Sequence, residues 1–164
     1  MTTENNSTVT VQWRVEEDGP SSGPPFQILL VEDAEADVFL VREALQQGGL
    51  DFTLRVLDDG EKAVDFIEVV EKDETEPCPD LVLLDLNLPK KSGTQVLERM
   101  RKSRRCGRVP VIVLTSSDSP KDKEQTARLG ADQYIRKPSR LAEFMKLGEI
   151  VRDLLRSRNP GLAS

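Results

Sequence analysis

The sequence predicts a single α/β domain: a doubly wound, five-stranded parallel sheet with five flanking helices. Three observations predict it. Short, nearly continuous apolar runs alternate with stretches of helical periodicity, the pattern of strands buried on both faces by crossover helices. The 164 residues suit one domain of ordinary size plus tails. No apolar run approaches the roughly 20 residues of a membrane span.

Residues 1–25 read as a tail and linker, because Gly19-Pro-Ser-Ser-Gly-Pro-Pro25 contains only Gly, Pro and Ser. Before it, Val9, Val11, Trp13 and Val15 alternate with polar residues. That pattern suits an extra edge strand anchored by Trp13 or an unpaired tail, and periodicity leaves both open. The domain is expected over residues 26–157, with 158–164 as a C-terminal tail.

Phe26 to Val31 is the first buried strand. Ala34 to Gln47 follows as a helix with Val38, Val41 and Leu45 on one face, ended by Gly48-Gly49. Phe52 to Leu57 alternates as the second strand, and Glu61 to Glu71 is helical with Ala63, Ile67 and Val70 in phase. After an acidic loop at 72–79, Leu81 to Leu84 is the third strand and Thr94 to Arg101 the third helix. Val109 to Leu114 is the fourth strand, opened by an edge-tolerant Pro110. Ser119 to Leu129 forms a polar, weakly amphipathic helix that Gly130 stops. Asp132 to Ile135 is the fifth strand, and Ser139 to Arg156 the last helix, with Leu141, Phe144, Leu147, Val151 and Leu154 as its apolar stripe.

Composition removes several function classes. Lys plus Arg is 23 and Asp plus Glu is 29, a formal charge of −6 that disfavours nucleic-acid and membrane surfaces as partners. There is no histidine, so Ser-His-Asp, Cys-His and His-ligated zinc chemistry fall together. Cys78 and Cys106 make neither a CxxC site nor a disulfide scaffold, and suit reduced thiols. The first residues lack a basic and an apolar segment of a secretory signal. The expectation is a soluble, acidic, cytoplasmic chain.

In a doubly wound sheet the binding crevice lies beyond the carboxyl ends of the strands. Those positions hold Glu32 and Asp33, then Asp58 and Asp59, then Asp85, then Thr115, Ser116 and Ser117, and finally Lys137 and Pro138. Singly, Asp33 reads best as a helix N-cap, the serines as caps, and Lys137 as a surface lysine. Asp85 follows four apolar residues, so its carboxylate has lost water and needs a partner. If the first strand lies beside the third, Glu32, Asp33 and Asp85 put three negative charges into one crevice, against the single positive charge of Lys137. Clustered carboxylates raise one another's pKa, and a hard dication relieves this; oxygen-only ligands fit Mg²⁺.

Four segments then carry a resemblance: Leu29-Leu-Val-Glu-Asp33, Asp80-Leu-Val-Leu-Leu-Asp-Leu-Asn-Leu-Pro89, Pro110-Val-Ile-Val-Leu-Thr-Ser116 and Gly130-Ala-Asp-Gln-Tyr-Ile-Arg-Lys-Pro138. Together, over roughly residues 26–157, they resemble the CheY-like receiver domain of bacterial response regulators. The long acidic loop and Asp85-Leu-Asn-Leu-Pro89 resemble the stand-alone receivers that serve phytochrome-type sensor kinases. The resemblance implies a flavodoxin-like sheet of order 2-1-3-4-5, counted from Phe26. It implies that Asp85 is the phosphoacceptor, and that Asp33, Glu32, Asp85 and the Asn87 carbonyl hold Mg²⁺. It further implies that Thr115 and Lys137 contact the phosphoryl group, that Tyr134 is the aromatic switch, and that Lys137-Pro138 is a cis peptide. The donor would be a sensor histidine kinase or a phosphotransfer protein, and output would pass to another protein or through a homodimer. Lys91-Ser92 and Ser139 depart from the usual pattern.

Rival functions are weaker. An aspartate-nucleophile phosphatase needs an acid two residues after the nucleophile, where Asn87 stands. A flavin module needs a hydroxyl- and glycine-rich cradle after the first strand, where Glu32-Asp33 repels phosphate. A phosphorylation-independent binding module would dispense with the acceptor, metal and lysine positions, all of which are occupied. The basic run from Arg101 to Arg108 reads as a helix C-terminus complementing the macrodipole rather than as a DNA contact.

Overall fold

The structure, a computed structural model, describes residues 9–13 and 24–158, with backbone only for the first segment. Its parallel core comprises β2 (Phe26–Val31), β3 (Phe52–Leu57), β4 (Leu81–Leu84), β5 (Val111–Thr115) and β6 (Gln133–Arg136). They lie in the order β3-β2-β4-β5-β6, which is 2-1-3-4-5 counted from Phe26. The helices are α1 (Glu35–Gln47), α2 (Gly60–Lys72), α3 (Gly93–Lys102), α4 (Pro120–Arg128), α5 (Leu141–Met145) and α6 (Leu147–Arg158).

A sixth strand, β1 (Val9–Trp13), pairs antiparallel with β3 along the sheet edge, with Val9 opposite Val56 and Trp13 opposite Phe52. The alternation of Val9 and Val11 is thus a strand. Its expected Trp13 anchor and the rest of the 1–23 segment lie outside the described side chains.

Both faces of the sheet are covered at its centre, which is why β4, β5 and the end of β2 are buried, while the outer β3 and β6 carry polar residues such as Arg55 and Gln133. Side chains of a strand alternate, and here the alternation divides the core in two. Ile28, Leu30, Leu83 and Ile112 join Val41, Leu45, Phe144 and Val151 on the side of α1, α5 and α6. Leu29, Val31, Val82 and Leu84 join Ala63, Ile67, Val96 and Leu97 on the side of α2 and α3. Burying a Leu or Ile contributes on the order of 2 kcal/mol, so the two layers supply most of the driving force for folding.

The expected last helix divides at Lys146. The division shifts the apolar stripe, so that Leu147, Val151 and Leu155 are buried while Leu141 stands exposed. Four-residue steps keep one helical face, and Leu155 rather than Leu154 completes it. Gly148 permits the contact with α1, because a Cβ there would lie 2.0 Å from the Ala44 carbonyl oxygen. By contrast α4 buries only Thr126 among its nine residues, as its polar sequence foretold.

Cys78 and Cys106 are joined by a disulfide with Cα atoms 5.6 Å apart, correcting the expectation of free thiols. Spacing of 28 residues in sequence carries no sign of this; the loops before β4 and β5 bring the two together. The same corner is laced by polar contacts. Ser103 Oγ and the backbone N–H of Arg104 donate to the Glu71 carboxylate, and the Arg105 guanidinium donates to the carbonyls of Val70 and Asp73. Arg101 donates to the carbonyls of Gly107, Val109 and Gly130 and pairs with Asp132 at 3.2 Å. These arginines of the basic run therefore tie loops together, beyond any service to the macrodipole. Among the described residues no helix is long and apolar enough to cross a membrane.

Candidate functional site

The register of the central strands builds the site. Val31 of β2 lies opposite Leu84 of β4, so the next residues, Glu32 and Asp85, emerge side by side at the carboxyl edge. Backbone bonds continue the ladder there: Asp85 N–H donates to the Val31 carbonyl at 3.1 Å, and Glu32 N–H to that of Leu57 at 3.0 Å. Glu32 is 2% exposed and Asp85 5%, whereas Asp33 is exposed. Carboxylate oxygens of Glu32, Asp33 and Asp85 all lie within 4.8 Å of one another. The N-cap of α1 is Ala34, not Asp33, and Ala34 N–H donates to Glu32 Oε1 at 3.1 Å. Asp33 is thereby left to face the crevice.

Lys137 closes the site from the far strands. Its backbone N–H donates to the Thr115 carbonyl at 2.8 Å, extending the β5–β6 pairing by one residue. Its ammonium donates to Glu32 Oε2 at 2.8 Å, to Asp85 Oδ2 at 3.1 Å and to Asp37 Oδ2 at 2.8 Å. Asp37 is the acidic residue that sequence reasoning missed. Its position gave no distinct signal, since an acid is ordinary in the first turn of a helix. The peptide bond before Pro138 is trans, because no described peptide bond is cis, which corrects the expected cis geometry at Lys137-Pro138. Trans is favoured by about 0.5–1 kcal/mol for X–Pro, and Lys137 already reaches its carboxylates in that form.

The electrostatics follow from burial and partners. Burial pushes Glu32 up to about 7, with the Asp85 charge adding to it, while Lys137 and the Ala34 N–H pull the other way. Burial also acts to raise Asp85, but the Lys137 ammonium and the Asn87 N–H outweigh it and hold the carboxyl below its ordinary value. Lys137 is raised: burial opposes its charge, and Asp37, Glu32 and Asp85 overcome it. The ammonium stays charged, and Asp85 stays a carboxylate.

Asn87 is exposed at the mouth, its N–H donating to Asp85 Oδ1 at 3.2 Å. Beyond it, the chain turns back so closely that a Cβ on Gly93 would lie 2.0 Å from the Asp85 carbonyl oxygen. Ser92 caps α3 in a reciprocal pair with Gln95, which gives the unusual Lys91-Ser92 a structural use. Thr115 is fully buried at the end of β5. Its Oγ1 accepts from Ser117 N–H at 3.4 Å, Ser117 Oγ donates to Asp122 at 2.6 Å, and Tyr134 OH donates to the Ser117 carbonyl at 2.7 Å. One short loop therefore links the Thr115 hydroxyl to the half-buried Tyr134 ring and to α4. Asp58 and Asp59 do not join the cluster: Asp58 pairs with Lys62 at 2.7 Å, and Asp59 caps α2.

Beside the acidic cluster lies a cleft of about 370 Å³ lined in part by Asp33, Val38 and Phe39, the last 56% exposed. Four carboxylates and one ammonium leave the crevice anionic. A donor set made only of oxygens, with two of its carboxylates deprived of water, fits a hard divalent ion such as Mg²⁺.

Comparison with known proteins agrees with this geometry. The family model described as response regulator receiver domain matches residues 28–148. Response regulator Rcp1 of Synechocystis sp. is 40% identical over 126 residues, covering 77% of this chain and 86% of that protein. Among solved structures, the phosphorylated cyanobacterial phytochrome response regulator RcpA superposes with a TM-score of 0.74 at 31% identity, over 82% of this chain and 96% of that one. The Mn²⁺-bound form of Rcp1 gives 0.70 at 38% identity, over 79% and 93%. With the receiver model matching residues 28–148 and Rcp1 40% identical over 77% of the chain, this chain belongs to the receiver domains of two-component response regulators.

Proposed function

We propose that this receiver takes a phosphoryl group onto Asp85 in a Mg²⁺-dependent reaction and passes the change to a protein partner. The observation that carries the reading is the Lys137 ammonium, 3.1 Å from Asp85 Oδ2, beside a cluster in which oxygens of Glu32, Asp33 and Asp85 lie within 4.8 Å of one another. Likeness to a phosphorylated phytochrome response regulator and to a Mn²⁺-bound one supports it, and favours a phytochrome-type histidine kinase as donor. With no histidine of its own, the chain takes the group from a phosphohistidine or a small acyl phosphate.

Phosphoryl transfer runs through a loose transition state with charge on three equatorial oxygens, so catalysis consists mainly of positioning and charge compensation. Asp85, held as a carboxylate, attacks phosphorus in line; the new O–P bond forms as the bond to the donor nitrogen or oxygen breaks, and the leaving group departs with its electron pair. Glu32, Asp33, Asp85 and the Asn87 carbonyl would hold Mg²⁺, which when bound neutralises charge on the transferring group. Lys137 follows the phosphoryl oxygens as its Asp85 partner becomes an acyl phosphate. Thr115 turns its hydroxyl towards the same oxygens, gives up the Ser117 N–H contact, and lets the Ser117 loop and Tyr134 rearrange. This is a local charge change acting on a bistable loop. Val38 and the exposed Phe39 beside the cleft offer apolar contact to the donor protein.

Incubation with acetyl phosphate and Mg²⁺, followed by intact-mass analysis, tests the reading. One added phosphoryl group is expected on the wild type, with none after EDTA and none on Asp85→Asn. An unchanged adduct on Asp85→Asn would move the acceptor elsewhere.

A further inference from the structure

Lys137 has three N–H donors, and three carboxylate oxygens take them: Glu32 Oε2 and Asp37 Oδ2 at 2.8 Å, and Asp85 Oδ2 at 3.1 Å. A phosphoryl group on Asp85 needs this ammonium, so an existing acceptor must yield. Asp85 Oδ2 gives up its N–H as it is phosphorylated, but the phosphoryl oxygens lie two bonds farther out. The ammonium must therefore swing towards them and loosen Glu32 or Asp37 as well. Glu32 is 2% exposed, shares its volume with Asp33, and already accepts from Ala34 N–H. Asp37 alone is half-open, with 28% of its side chain exposed, and can return to water at least cost.

Asp37 also lacks the capping role open to an acid at this place in a first helical turn. It is the third residue of α1, where an acidic side chain commonly reaches back to the N-cap N–H. Here Glu32 has taken that donor. Nor does Asp37 belong to the metal-sized cluster, which comprises Glu32, Asp33 and Asp85. Beside the general favour that a helix N-terminus shows to an acid, what remains is its bond to Lys137.

We infer that Asp37 is a positioning residue: a resting-state latch on Lys137 that competes with the phosphoryl group for the ammonium. The inference rests on the phosphoryl-acceptor reading above. It sets the balance between free and phosphorylated forms without touching either the metal or the transferred group.

Beryllium trifluoride, a tetrahedral phosphoryl mimic, is titrated calorimetrically at saturating Mg²⁺ into the wild type, Asp37→Asn, Asp37→Glu, Lys137→Met and the double variant Asp37→Asn/Lys137→Met. The wild type binds, and Asp37→Asn binds about fivefold tighter, the order expected when one partly desolvated charge-assisted competitor is removed. Asp37→Glu returns the affinity towards wild type, and the Asp37→Asn gain vanishes in the Lys137→Met background. Equal affinity of wild type and Asp37→Asn overturns the latch while leaving Asp85 as acceptor. So does the same gain without Lys137, because a field effect on the anion needs no lysine. A parallel Mg²⁺ titration in which Asp37→Asn changes metal affinity as much as mimic affinity overturns it too. A wild type that binds no mimic removes both readings.

Discussion

Glu32 and Asp85 end neighbouring strands, yet their proton affinities part company. Each is buried, and each accepts from the Lys137 ammonium and from one backbone N–H, but burial prevails at Glu32 while the partners prevail at Asp85. The consequence is a pH dependence of stability in the absence of divalent ions. Glu32 stands at about 7 in the folded chain, above its ordinary value of 4.5, so the folded state binds its proton more tightly than the unfolded state. That contribution is fully present below about pH 4.5, declines as pH rises, and is gone above about 7. Glu32→Gln should therefore raise the unfolding free energy at pH 8 in EDTA by roughly 1–3 kcal/mol, with the gain shrinking towards pH 4.5. Urea unfolding across pH measures it, and a gain independent of pH would contradict the assignment. The acids themselves were legible from their strand-end positions. Asp37 was not, because its bond to Lys137 crosses 100 residues of sequence, and the helix macrodipole already favours an acid in that first turn.

At the scale of elements, apolar periodicity located the parallel strands and the helices because burial on both faces dictates it. It misjudged the last helix, where the break at Lys146 and the close approach of Gly148 to Ala44 re-phase the stripe. The Cys78–Cys106 bond was equally hidden, since two loops meeting in space leave no mark in spacing. This bond closes a loop of 28 residues and restricts the unfolded chain. Dithiothreitol should lower the unfolding free energy by about 3 kcal/mol, read as a lower urea midpoint. Cys106→Ser should start low and ignore the reductant. An identical midpoint with and without dithiothreitol in the wild type would show that the corner is held by its polar contacts instead. The polar helix α4 stands apart: with Thr126 as its single buried residue, it has the fewest apolar anchors to resist the proposed movement of the Ser117 loop.

For the whole molecule, sheet order decides function. Glu32 and Asp85 meet because β2 and β4 are neighbours, and Lys137 arrives across β5. Residues more than 100 positions apart thereby share one crevice, an arrangement that the strand-end rule anticipates and that motif spacing alone does not show. The edge strand β1 was readable as alternation but not as pairing, because an edge position on β3 is chosen by the rest of the sheet. The central claim is that this crevice makes Asp85 the phosphoryl acceptor. It is tested most directly by treating the chain with acetyl phosphate and Mg²⁺, reducing any aspartyl phosphate with borohydride, and sequencing the peptides by tandem mass spectrometry. The account predicts homoserine at position 85 alone, and none when EDTA is present. Homoserine at Asp33, Asp58 or Asp59 in place of Asp85, or an adduct indifferent to Mg²⁺, would contradict it.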